Sequence, residues 1–189
     1  MTGRAAAMTG SAVLVLAWAG PLPAMATSFF TAHMALHLLV VCVAAPLLGW
    51  ALAGKGHVPP LLASLLEFIL VWTWHVPALH EAARFSLTMF VLEQLSFAAA
   101  GTVLWASAFR EPAGGVAALF LTAMHMTLLG ALLTLAPRPL YSALCLGGGG
   151  LSPLEDQQLG GVLMAVVGGG ADLLGALWLG YRLLREKGT

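Results

Sequence analysis

Polar positions along this chain are sparse. They fall in short breaks between apolar runs of about 20 residues, each long enough to cross a ~30 Å hydrocarbon core at ~1.5 Å per residue. The pattern predicts membrane-spanning helices at roughly 11–27, 29–52, 60–79, 87–109, 116–136 and 157–182. Segments alternating in polarity with a period of two are absent, so the spans are helices and not barrel strands. The expected fold class is all-α: a polytopic transmembrane helix bundle with five firm spans, preceded by an N-terminal signal peptide or a sixth span. Two readings of the first run stay open. Arg4, the apolar "SAVLVLAWAG" and the small residues of "PLPAMA" have the layout of a secretory signal peptide cleaved after Ala26, and they also fit a short uncleaved helix. The chain therefore divides into residues 1–27 and a transmembrane helical bundle over 28–189.

Composition strengthens this picture. Of the 189 residues, 60% are hydrophobic and 8% charged, against about a quarter charged in soluble domains. A formal net charge of zero gives no footprint for nucleic acid or a polybasic surface, and leaves membrane lipid as the first partner. Cys42 and Cys145 lie far apart, which argues against a disulfide framework. Taking the connections alternately, Lys55, Arg110, Arg182, Arg185 and Lys187 fall on one side and only Arg84 and Arg138 on the other. The positive-inside rule makes the first side cytoplasmic. The C-terminus is then inside, and loops 80–86 and 137–156 face out, into the periplasm if the membrane is a bacterial inner membrane. "GGGG" at 147–150 followed by Pro153 reads as a flexible outer connection.

The polar residues inside the spans collect at one depth. His33 lies about one turn below the outer surface and His37 ~12 Å deep, counting ~1.5 Å per residue. His75 matches the depth of His33. His125 lies near the middle of its span, flanked by Met124 and Met126, and Met164 is about two turns in from the outer end of the last span. His57 stands alone in the cytoplasmic loop and His80 in the outer one. Spacing i, i+4 stacks His33 and His37 on one helix face, with Met34 beside them. Ionisable groups within a membrane are costly and mark function. Imidazoles with thioethers and no acidic cluster point to the soft ion Cu(I), held by His33, His37, His125, Met34 and His75. Glu93 and Gln94 need partners in lipid, either on neighbouring helices or, for Glu93, on a metal-bound histidine. Asp172 lies too deep to ligate the same ion. Trp72 and Trp74 are expected as interfacial anchors.

Four ordered motifs carry a family resemblance: "HMALHLLVVCVAAPLLGWAL", "WTWHVPALHEAA", "LLGALLTLAPRPLY" and "DQQLGGVLMAVVGG". Over about residues 29–183 the chain resembles the polytopic CtaG-type cytochrome c oxidase assembly family. The resemblance implies a membrane protein needed to mature haem-copper oxidases, with copper handling as its role. It matches His33 and His37 to the family's paired-histidine helix, His75 to its Trp-His-x-Pro, and Asp156, Gln157 and Gln158 to its Asp-Gln-Gln start of the last helix. This chain departs from the pattern at Leu38, where many members have methionine, and at Gln94, where many have histidine. Others are His80, where the family often has tyrosine, and Ala165, where it has tryptophan. A ligand set needing the fourth-span histidine cannot form here, and His125 is the expected replacement.

The combined expectation is a non-enzymatic Cu(I)-binding assembly factor working from the periplasmic side, with an oxidase subunit and a periplasmic copper chaperone as partners. Met126, Met164, Glu93, Gln94, Asp156 and Gln157 are expected to support the site. No H-E-x-x-H, G-x-S-x-G, P-loop or paired-carboxylate motif argues for catalysis. Three alternatives stay open: a haem b protein ligated by His37 and His125, a copper importer of the CopD type, and a metal-free scaffold for the oxidase.

Overall fold

The computed structural model describes residues 2–56, 58–141 and 150–187. His57, Cys145 and most of the glycine run lie outside the described residues. Eight helices follow one another, with no strand among the described residues: α1 Gly3–Ala19, α2 Leu22–Ala26, α3 Phe30–Leu52, α4 Pro60–Trp74, α5 Pro77–Phe85, α6 Leu87–Arg110, α7 Pro112–Leu135 and α8 Pro153–Glu186. α3, α6, α7 and α8 are each long and apolar enough to cross a membrane. α4 and α5, bent by 75°, make a fifth span if taken together. The chain is an all-helical, multi-pass membrane protein.

The third span differs from expectation. It was expected to run through residue 79, but the helix ends at Trp74 and restarts at Pro77. Proline has no N–H to continue the ladder, and its ring drives the preceding residue out of the α region. Val76 accordingly sits at φ −63°, ψ 128°. The resulting bend carries α5 back across the end of the bundle, and His80 with it.

Two of the three helices that carry methionines near the histidines, α3 and α8, contain a π-helical turn. Leu39–Ala44 in α3 begins two residues after His37, and Met164–Gly168 in α8 begins at Met164. In α3 the cause is Pro46, which cannot bond to the carbonyl four residues earlier, so the ladder is taken up with a wider turn upstream. α7 and α8 cross at Gly130 and Gly161. A Cβ on Gly130 would come within 2.6 Å of the Gly161 carbonyl oxygen, and one on Gly161 within 2.7 Å of the Gly130 carbonyl oxygen. Only glycine permits this approach, one turn from Met126 and Met164.

Burial is arranged as a bilayer demands. Leu61, Leu65 and Ile69 on α4 and Leu121, Leu128 and Leu132 on α7 face outward, while His33, Glu67, Glu93, Gln94, His125 and Asp172 are buried. One apolar cluster, including Phe30, Met34, Phe97, Leu129 and Tyr141, surrounds the histidines. A second, around Leu104, Trp105, Leu119 and Leu179, fills the other half. α1 lays its small face, Ala6, Gly10 and Ala17, along α3, where a Cβ on Gly10 would meet Leu48.

Asp156 and Gln157 are clamps. The Asp156 carboxylate accepts from Phe30 N at 2.6 Å and Thr31 N at 3.0 Å, capping the helix that carries His33. A carboxylate at a helix N-terminus satisfies orphan donors and favours the dipole. Gln157 accepts from Leu140 N at 2.6 Å and donates to the Leu133 carbonyl at 3.1 Å, tying the outer connection to the end of α7. Trp74 donates to Ser96 Oγ at 2.9 Å, so it joins α4 to α6 rather than serving only as an anchor.

Candidate metal centre

Where α3, α5 and α6 meet, three side chains bring donor atoms together. Nε2 of His33 lies 2.7 Å from Nε2 of His37, and Glu93 Oε1 lies 3.3 Å from the first and 3.5 Å from the second. His80 arrives from α5, its ring edge-on to His33 with centroids 4.5 Å apart. One ligand atom each from His33, His80 and Glu93 lies within 4.8 Å of the others, and all three residues are buried. Metal–ligand bonds of about 2.0–2.2 Å at the tetrahedral angle separate donors by about 3.3–3.6 Å. The His33–Glu93 separation already has that value.

Among the described residues, Glu93 Oε1 and His80 Nε2 are buried without a hydrogen bond. The two histidine nitrogens near Glu93 Oε1 are within ion-pair distance but not in hydrogen-bonding geometry. Buried polar atoms left in this state are costly, and their convergence makes this point a candidate cation site.

The tautomer of His37 follows from its neighbours. Trp18 Nε1 donates to Gln94 Oε1 at 3.2 Å, and an indole N–H can only donate, so the amide nitrogen of Gln94 must face the other way. That nitrogen donates to His37 Nδ1 at 3.2 Å and to Glu93 Oε2 at 3.4 Å. His37 Nδ1 is thus an acceptor and its proton sits on Nε2, aimed at His33 Nε2. An ion bound to His33 would displace this bond and leave the His37 N–H to Glu93, which makes His37 a candidate positioning donor beside His33, His80 and Glu93.

Below the cluster lies a small cavity of about 20 Å³, lined by Met34, His37, His75, Met126 and Met164 among apolar neighbours. His75 Nδ1 donates to the Val71 carbonyl at 2.7 Å, which places the lone pair on Nε2. That atom is buried with no hydrogen-bond partner among the described residues. Tyr141 donates to the His75 carbonyl at 2.9 Å, stacks on Phe30 and covers His80. On the other side, a cleft of about 280 Å³ lined by Thr27, Arg84 and Phe90 reaches His33.

His125 does not join this group. Its Nε2 lies 2.9 Å from Glu67 Oε2, and Phe68 packs edge-on against its ring. His125 was expected to complete the set with His33 and His37; the structure pairs it with Glu67 on α4 instead, while Met126, next in the chain, lines the cavity below the cluster. Asp172 is buried as well and stands apart from the histidine cluster. The residues missed are His80, assigned to a loop, and Glu67, hidden in an apolar run. For His80 the signal was "HVPALH", where an X-Pro break allows the chain to turn back.

A family model described as cytochrome c oxidase caa3 assembly factor matches residues 54–186. The match contains His75, His80, Glu93, Gln94, His125, Asp156 and Gln157, and begins after His33, Met34 and His37. No curated protein matches the chain. No solved structure matches it.

Proposed function

The chain belongs to the cytochrome c oxidase caa3 assembly factor family, and we propose that it serves oxidase assembly by binding copper at His33, His80 and Glu93 and handing it to an oxidase subunit. The observation that carries this reading is the convergence of those three buried residues within 4.8 Å. Copper is cargo in this account, and the protein performs no catalytic step. Two imidazoles and one carboxylate are competent ligands for several transition ions. The choice of copper among these ions rests on the family's part in assembling a cytochrome c oxidase.

The supply side is periplasmic. Arg4, Lys55, Arg110, Arg182 and Arg185 gather at the end of the bundle away from the cluster, while Arg84 and Arg138 lie at the cluster's end. This asymmetry directs the cleft at His33 outward. The cleft gives a copper chaperone or the oxidase subunit a place to exchange the ion.

The experiment is oxidase maturation in copper-limited cells. A strain carrying only the Glu93→Gln variant, at wild-type protein level, should assemble oxidase deficient in copper, with activity restored by added copper. Full copper content in the oxidase under limitation would leave a metal-free scaffold as the function.

A further inference from the structure

We propose that the methionine-lined cavity beneath the cluster is a second metal station, selective for Cu(I), with His75 Nε2 and the thioethers of Met34, Met126 and Met164 as its donors. The inference rests on the reading of the bundle as a copper-handling protein, but concerns different ligands.

Four observations meet at this cavity. His75 has the preparation of a metal-ligating histidine: one ring nitrogen donates to a backbone carbonyl, and the other presents a buried lone pair without a partner among the described residues. Three of the chain's eight methionines, from α3, α7 and α8, line the same small space. Its volume of about 20 Å³ suits one ion, since a single water needs roughly 10–15 Å³. Finally, no carboxylate lines it, so hard and divalent ions lack the oxygen ligands they prefer.

The three methionines are also held in place. Met164 opens the π-helical turn of α8, and Met126 lies one turn from the glycine crossing of α7 and α8. Met34 shares a helix turn with His33 and His37, and His37 borders both compartments. An ion leaving the outer cluster therefore meets the thioethers after passing one ring. Thioethers are neutral, need no deprotonation and exchange readily, which suits a holding station.

The test uses the full-length protein in detergent under anaerobic reducing conditions. Cu(I) is supplied against a chromophoric Cu(I) chelator, and the bound ion is examined by X-ray absorption at the copper edge. Wild type should show sulfur scatterers. Met126→Leu with Met164→Leu, a volume-conserving change, should lose most of that sulfur signal, leaving at most the Met34 thioether, and bind Cu(I) about tenfold or more weakly. Glu93→Gln should keep the full sulfur signal. Nitrogen and oxygen scatterers alone in wild type, or unchanged affinity in the double leucine variant, would overturn the station and leave the outer cluster standing. Sulfur-bound copper that is indifferent to both His33→Ala and Glu93→Gln at every loading would support the station and remove the outer cluster. No bound copper in wild type would overturn both.

Discussion

Trp18 and Gln94, on helices far apart in sequence, share a hydrogen bond of 3.2 Å that fixes which nitrogen of His37 carries its proton. The indole N–H fixes the amide oxygen of Gln94, the amide nitrogen sets the imidazole of His37, and the imidazole aims its N–H at His33. In selectively ¹⁵N-histidine-labelled protein, His37 should show the Nε2–H tautomer. Trp18→Phe should release the amide and yield a mixture. An unchanged tautomer in that variant would mean that α1 does not position the site.

Asp156 holds the start of the helix bearing His33 through two backbone donors. Asp156→Ala should destabilise the protein by about 1–2 kcal/mol, the usual cost of losing a cap. Thermal unfolding in detergent reads this directly. Asp156→Asn, which keeps an acceptor but not the charge, should lose less.

The pair His125 and Glu67 separates two views of the bundle. In the structure it joins α7 to α4 away from the histidine cluster, so His125→Phe together with Glu67→Leu should leave copper stoichiometry unchanged. Glu67→Leu alone leaves His125 without its partner and should cost a few kcal/mol, as single-sided removal of a buried pair does. Lower copper content in the double variant would restore His125 to the ligand set.

These residues also show what the sequence could and could not say. The spans were legible because hydropathy needs only composition over a window, and "HMALH" was legible because i, i+4 spacing puts both rings on one face whatever the helix packs against. His125 was not, since its depth follows from counting but its direction follows from its pairing with Glu67 on α4. His80 was lost to the assumption of a straight span through Leu79, where Pro77 imposes a bend. Asp156 and Gln157 were recognisable as a motif, but their work as clamps on Phe30, Leu133 and Leu140 depends on long-range pairing.

The glycine crossing makes a steric prediction. A side chain at Gly130 or Gly161 would stand 2.6–2.7 Å from backbone atoms of the facing helix. Gly161→Val should therefore part α7 from α8, lower thermal stability and weaken Cu(I) binding, whereas Gly170→Ala, with open space around its Cβ position, should do neither. Equal behaviour of the two variants would show that the close approach is not required.

The most direct measurement is the copper content of purified protein loaded anaerobically with Cu(I) and washed, compared among wild type, Glu93→Gln, His80→Phe and His125→Phe. Glu93→Gln and His80→Phe should each lose the copper held at the outer cluster, while His125→Phe retains the wild-type amount. Retention in the first two, or loss in the third alone, would contradict copper binding at His33, His80 and Glu93.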